Sequence, residues 1–389
     1  RTMTDYAEPL VTKAEVLLTR RCNIMCSTCA VIQPALLNGK PTSKSHGELT
    51  IDQWKEALGA VYDRLGAGFI ALYGGEPLSM GDEFLLELFS FLASKRNSAR
   101  DFTVISNGIG LTRERAIAYQ NAGLESWTSS VDTDDPGLHF GDNYMKGKTQ
   151  AGLKALELTR SLGYRDTCGI ITVTALNIDK VIPTIEYLCE RDHWVGIDLL
   201  HYQRGDGEYT FSTKLEEMTP GLYSADREFL DKLAEVSEWL TIHRDELRVF
   251  PTASVLNLWK DKEVVSNLSW KCTPGHSLTI DSNGDIGLCD DRMPNGYGKE
   301  RRDLARAHTP KGKAAWSIFD FTDCSDHRLS VRWREFLNWY KKDLKKCEGC
   351  LWSTHVMAVD ALNSVELREH YCHKREPKDL GPSQMGIRL

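Results

Sequence analysis

From residue 14 to about residue 200, short β-branched, apolar runs alternate with longer amphipathic stretches. No other feature constrains the fold as tightly, because this alternation is the signature of βα units around a parallel sheet. The runs at 14–19, 69–73, 102–106, 126–131, 169–174 and 195–200 read as strands. Segments near 52–65, 82–95, 112–121, 148–162, 178–191 and 222–240 read as the helices between and after them. Six such units fall short of the eight of a closed barrel. The expectation is an α/β fold, a partial (β/α)6 TIM-like barrel, with function at the C-terminal ends of its strands.

After about residue 240 the alternation stops, Trp and Cys become frequent, and turn residues cluster at Thr273-Pro274-Gly275 and Asp281-Ser282-Asn283-Gly284. The expected division is a barrel over 1–240, a linker over 241–265, a C-terminal α+β domain over 266–375 and a polar tail over 376–389. Residues 278–288 read as a β-hairpin, two short strands around the Asn283-Gly284 turn. The stretch 291–315, rich in Arg, Lys and Gly, reads as a long exposed loop.

Apolar residues make up 41% of the chain and charged residues 26%, the balance of a globular protein. No apolar run reaches the ~18 residues that span a bilayer, so no membrane partner is expected. The first residues carry no charged-then-apolar export pattern, and a reducing cytoplasmic setting is the default expectation. A net charge of -7 argues against a nucleic-acid backbone as the main ligand. Eleven cysteines are many for a cytosolic chain, where disulfides rarely persist, so clustered cysteines read first as metal or redox ligands.

The first cluster is Cys22-Asn-Ile-Met-Cys26-Ser-Thr-Cys29, directly after the first expected strand. Three thiolates on one short loop hold three irons of a [4Fe–4S] cube and leave the fourth open to an outside ligand. An open iron implies chemistry rather than structure alone. A zinc knuckle needs a fourth ligand close by, and the nearest histidine, His46, lies 17 residues on.

A CxxxCxxC segment at the end of a first barrel strand resembles the radical S-adenosylmethionine (radical SAM) superfamily. The resemblance implies that the open iron chelates S-adenosyl-L-methionine, whose reductive cleavage yields a 5′-deoxyadenosyl radical that abstracts hydrogen from substrate. It also implies a flavodoxin- or ferredoxin-type electron donor. Gly74-Gly75-Glu76-Pro77 is similar to the family's segment for the cofactor's amino group, with glycines for close backbone approach and a carboxylate to accept from an ammonium. Ser106-Asn107-Gly108 and Ser130-Val131-Asp132 resemble the family's turns after the third and fourth strands. Asn107, Ser130 and Asp132 are therefore expected around the cofactor. Thr172 and Thr174, with Asn177 after them, are placed to reach the ribose, although strand threonines serve core packing equally often. His201 and Gln203 are expected on one face at the barrel mouth, as candidates for substrate contact or proton transfer, with a structural, hydrogen-bonded histidine as the other reading of His201. Thr28 departs from the aromatic residue usual before the third cysteine, and residues 30–49 form a loop long enough to serve as a lid.

Cys272 and Cys289 flank the expected hairpin, and Cys347-Glu-Gly-Cys350 follows a long gap. This C-x11-G-x4-C…C-x2-C arrangement resembles the twitch domain, the shortened relative of the SPASM domain, and implies one auxiliary [4Fe–4S] cluster. The same four thiolates also suit a structural zinc ion. The further cysteines expected soon after Cys350 are missing. Cys324 and Cys372 read as an extra ligand, a hydrogen-atom donor or buried side chains, and Cys168 and Cys189 as core residues.

Taken with the resemblance, these features imply an oxidoreductase or isomerase that abstracts hydrogen from a small polar natural-product precursor, ending in oxidation or, if Cys324 or Cys372 supplies hydrogen, epimerisation. The alternatives are a maturase that cross-links or epimerises a ribosomal peptide, and a non-catalytic iron–sulfur protein for electron transfer or redox sensing.

Overall fold

The computed structural model describes residues 10–24, 48–135, 147–199, 203–204, 227–249, 253–267, 277–288, 316–344 and 349–350, apart from positions 98 and 324. All six expected strands are present: β1 (Lys13–Thr19), β2 (Phe69–Gly74), β3 (Asp101–Ser106), β4 (Ser126–Ser130), β5 (Asp166–Val173) and β6 (Trp194–Leu199). Between them run α1 (Ile51–Asp63), α2 (Asp82–Ser94), α3 (Arg113–Asn121), α4 (Lys148–Ser161) and α5 (Val181–Glu190). The local signals act as elementary chemistry predicts. Thr50 caps α1 in a reciprocal box with Gln53, and Thr112 caps α3 through the Arg115 amide. Trp54, Ala57, Leu58 and Val61 line the face that α1 turns to the sheet.

The strands β1 to β6 pair in parallel in the order β6-β5-β4-β3-β2-β1. Every residue of β1 is buried, as befits a central strand covered on both faces. Lys13 and Glu15, two residues apart and therefore on one face, form an ion pair there, Nζ to Oε1 at 2.5 Å.

The C-terminal part differs from the expectation in two ways. Residues 241–265, expected as a linker, carry packed structure. After α6 (Arg227–His243), Val249 bridges to Val195 of β6, and the Val195 amide donates to the Arg248 carbonyl. The helices α7 (Ala253–Lys260) and α8 (Lys262–Asn267) then bury Val255, Leu256, Trp259 and Val265 in the same core. At eight and six residues these helices are too short for an apolar period to stand out in the chain.

The expected hairpin exists but belongs to the barrel sheet. Its strand β8 (Ser277–Ile280) pairs in parallel with β1, Lys13 against Ser277 through Val16 against Ile280. Its strand β9 (Ile286–Gly287) pairs antiparallel with β8 at the sheet edge. The turn is longer than a two-residue one. Asp281 and Asp285 close a loop of three residues in which Gly284, at φ 86°, takes the left-handed position. The bridge from Asp285 to Ser317 joins the hairpin to residues 316–321, whose Trp316 and Phe321 pack with Trp333 and Phe336 of α9 (Asp326–Leu344). Lastly, β7 (Gln203–Arg204) pairs antiparallel with β10 (Gly349–Cys350), with Cys350 opposite Gln203.

Among the described residues the sheet edges are β6 and β9, so the sheet is open rather than closed.

Candidate functional site at the C-terminal ends of the strands

Parallel register brings the ends of β1 to β5 to one edge of the sheet, and the residues singled out from the sequence gather there. Cys22 follows β1, Gly74 ends β2 with Gly75 and Glu76 after it, Asn107 follows β3 and Asp132 follows β4. The loop after β2 is locked onto the segment that leads to Cys22. The Gly75 amide donates to the Thr19 carbonyl at 2.7 Å, and the Glu76 amide donates to the Arg21 carbonyl at 2.7 Å. A β-carbon at Gly74 would stand 2.3 Å from the Thr19 oxygen, and one at Gly75 would stand 2.1 Å from the Arg21 oxygen. The two glycines therefore admit a close approach of chain to chain. This is a different use of the glycines from the approach to a ligand expected from the sequence.

The Glu76 carboxylate is only 1% exposed and already holds three protein donors. Its Oε1 accepts from the Leu78 amide at 3.0 Å and the Ser106 hydroxyl at 2.8 Å, while Oε2 accepts from the Asn107 amide at 2.8 Å. Burial pushes its carboxyl pKa up, against the pull of the Asn107, Leu78 and Ser106 donors and of Arg115. Here Glu76 is the tie between the β2 and β3 loops rather than a carboxylate open to an ammonium group.

Asn107, so oriented, points its amide at the start of the cysteine loop. Its Nδ2 donates to Asn23 Oδ1 at 2.8 Å and lies 3.9 Å from Cys22 Sγ, within N–H···S range. Its Oδ1 accepts from the Ile109 amide at 2.8 Å, which fixes the side chain. A half-buried thiol facing an amide donor suits a thiolate in an iron–sulfur cluster, where N–H···S bonds stabilise sulfur charge. In this respect the residues present fit the group that the sequence implies. Cys26, Cys29 and Thr28 lie outside the described residues.

At the ends of β4 and β5 a second network forms. Asp132, 3% exposed and at φ 65°, pairs its Oδ2 with Lys148 Nζ and accepts the Thr172 amide on Oδ1 at 3.0 Å. Asn177 bridges the same strands, donating to the carbonyls of Asp132 at 2.8 Å and Thr172 at 2.9 Å. The Thr174 amide and hydroxyl both donate to Asn177 Oδ1, so Thr174 is engaged in packing the turn rather than free for a ribose. Thr172 stays partly exposed on the same side, and Ser130 ends β4 partly exposed. Lys148 escaped the sequence reading, for a lysine opening a helix carries no local mark of a buried partner.

His201, Cys272, Cys289, Cys324, Cys347 and Cys372 lie outside the described residues, and of Gln203 and Cys350 the backbone pairing alone is described. Cys168 is buried and Cys189 half-buried, in keeping with core positions.

Residues 16–188 match the model of the radical SAM superfamily. Among curated proteins the chain is similar to a GTP 3',8-cyclase of Synechococcus sp. (strain WH7803), 30% identical over 205 residues, covering 48% of this chain and 55% of the relative. It is also similar to the GTP 3',8-cyclase of Staphylococcus carnosus (strain TM300), 25% identical over 190 residues, 49% of this chain and 54% of the relative. The chain thus spans about half the length of the curated relatives it matches. Among solved structures, Streptococcus suis SuiB bound to precursor peptide SuiA aligns with a TM-score of 0.54 at 13% identity, covering 96% of this chain and 76% of that one. Native anSMEcpe with bound AdoMet aligns with a TM-score of 0.54 at 16% identity, covering 87% and 89%. At these identities the structures speak to the fold alone. The match to the radical SAM superfamily model thus takes in the strands β1 to β5 of the parallel sheet and the cysteine that follows the first of them.

Proposed function

We propose that the chain is a radical SAM enzyme that acts on a small polar substrate. The observation that carries this reading is the setting of Cys22, half-buried at the C-terminal end of β1 with the Asn107 amide 3.9 Å from its sulfur, within the residues that match that family's model. Cys22, Cys26 and Cys29 would hold the [4Fe–4S] cluster. When bound, the cluster supplies the electron that cleaves S-adenosyl-L-methionine to a 5′-deoxyadenosyl radical, which takes hydrogen from substrate. Gly74, Gly75, Glu76 and Asn107 would shape the cofactor's side of the site, with Glu76 holding the loops. Ser130, Asp132, Thr172 and Thr174 would form the β4–β5 side, with Asp132 and Thr174 acting through the backbone they fix. His201 and Cys324 are proposed near the substrate, for proton or hydrogen transfer.

Cys272, Cys289, Cys347 and Cys350 are proposed as ligands of one auxiliary [4Fe–4S] cluster in a twitch-like C-terminal part. The pairing of Cys350 with Gln203, just past β6, supports a position for that part next to the barrel. Four thiolates leave no iron open, which favours electron transfer from the substrate radical and hence net oxidation. A flavodoxin- or ferredoxin-type protein would supply the first electron.

The curated relatives act on a nucleotide by their names, which favours a nucleotide or nucleoside within the small polar class. Peptides are the competing class. Anaerobically reconstituted protein, given dithionite and S-adenosyl-L-methionine, is expected to release 5′-deoxyadenosine and to contain about eight irons per chain. Cys22→Ala is expected to abolish the release. A panel of nucleotides, sugars and peptides then identifies the substrate as the compound that stimulates release. No 5′-deoxyadenosine from the wild type, with reduction unaltered in Cys22→Ala, would leave a non-catalytic iron–sulfur protein.

A further inference from the structure

Two residues before Cys22, Arg20 meets Asp281 of the hairpin turn, 261 positions away in the chain. Arg20 Nε donates to Oδ1 at 3.0 Å and Nη2 to Oδ2 at 2.6 Å, a two-pronged pair with Asp281 only 1% exposed. Asp281 Oδ1 also accepts the Ser282 amide at 2.7 Å, so the carboxylate is held by its own turn. Ser282 in turn accepts the Leu49 amide on its carbonyl at 2.9 Å. The neighbouring Arg21 grips Glu48 with Nε at 3.0 Å and Nη2 at 2.9 Å, and the Thr19 hydroxyl donates to the same carboxylate. Residues 19–21 and 48–49, the two ends of the segment that carries the cysteine motif, are therefore tied to each other and to one hairpin turn.

We propose that Asp281 is a positioning residue for the cysteine loop, clamping its base through Arg20 so that the loop's two ends stay at fixed separation whether or not a cluster is bound. A flexible loop loses entropy when its ends are brought together, and a metal site on that loop must overcome the same cost if nothing has done so beforehand. Here the hairpin does so. Because β8 pairs with β1 directly, the turn is carried on the sheet that also carries Cys22. On this view the C-terminal hairpin completes the N-terminal cluster site and is more than a flank for the second cysteine set. The inference rests on the proposed cluster at Cys22, Cys26 and Cys29.

The test uses full-length reconstituted protein with Asp281→Asn, Arg20→Lys and Asp281→Glu. Bathophenanthroline withdraws iron anaerobically, and the fraction of the reduced EPR signal that responds to S-adenosyl-L-methionine reports the N-terminal cluster separately from any auxiliary one. Asp281→Asn and Arg20→Lys are each expected to lose that responsive signal about tenfold faster than wild type, a factor in the range of one charge-assisted pair, with Asp281→Glu partly restored. Melting temperatures control for global unfolding, and Arg20→Lys keeps the charge if Asp281→Asn folds poorly. Unchanged loss rates in folded Asp281→Asn and Arg20→Lys overturn the clamp. So does equal acceleration in Lys55→Met, which removes a distant surface pair, at the same melting temperature. A wild type that assembles no responsive cluster overturns the cluster reading itself, a result distinct from either.

Discussion

The carboxylate of Glu76 accepts the backbone amide of Asn107 at 2.8 Å, joining the loops after two adjacent strands from inside the protein. That bond orients a side chain whose own amide faces Cys22, so a buried acid on one strand end governs what surrounds a thiol on another.

Replacing Glu76 by Gln tests the tie. A Gln side chain offers one acceptor and one donor group where the Leu78 and Asn107 amides both need an acceptor, so one backbone N–H is left unpaired in a buried site. Urea denaturation is expected to show a loss of about 1–3 kcal/mol despite removal of the buried charge.

Asn107→Ala removes an N–H donor that lies 3.9 Å from the Cys22 sulfur. Reduction would add negative charge to the cluster proposed at Cys22, Cys26 and Cys29, and hydrogen bonds to cluster sulfurs favour the reduced form. Redox titration followed by EPR is therefore expected to give a midpoint potential lower by tens of millivolts, on the order expected for one weak bond. An unaltered potential would show that Asn107 serves the loop alone.

Lys148→Met strips the partner from Asp132, a buried carboxylate held at positive φ by the Thr172 amide. Leaving that charge without its cation is expected to cost about 3–5 kcal/mol in chemical denaturation. Adding Asp132→Asn, which tolerates the left-handed backbone and carries no charge, should recover part of the loss.

His193 sets a pH dependence away from the site. Burial first, then the nearby Arg160, Arg191 and Arg248, push its pKa from an ordinary 6.5 down to about 4. Its Nδ1 lies 2.7 Å from the Thr167 hydroxyl in a side chain 2% exposed. The unfolded chain therefore takes up a proton that the folded one refuses between these two values. Its contribution is full above pH 6.5 and fades as pH falls toward 4, a loss of about 3 kcal/mol. Denaturation of His193→Gln and wild type at pH 7 and 4.5 should show the variant losing less on acidification.

Much of the barrel was legible in the chain. The strands from β1 to β6 and the helices between them follow from the alternation of apolar runs with amphipathic stretches, a signal contained within short windows of the chain. The cysteine spacing at 22, 26 and 29 and the Gly284 turn are of the same kind, since each needs only its neighbours to be read. The fates of particular polar groups were not legible. Gly75 reads as room for a ligand until the Arg21 carbonyl is seen filling that room, and Glu76 reads as an open carboxylate until its three donors are counted.

What the sequence by itself determined is therefore the set of barrel elements, the family resemblance and the gathering of the singled-out residues Cys22, Glu76, Asn107 and Asp132 at the strand ends. Tertiary structure decided that β8 joins β1, that α7 and α8 pack where a linker was expected, and that Arg20 reaches Asp281, and Lys148 reaches Asp132. The physical reason is range. Periodicity and turn chemistry are properties of adjacent residues, whereas a buried ion pair between positions 261 apart exists only because the order of strands in the sheet brings two otherwise ordinary charges together away from water.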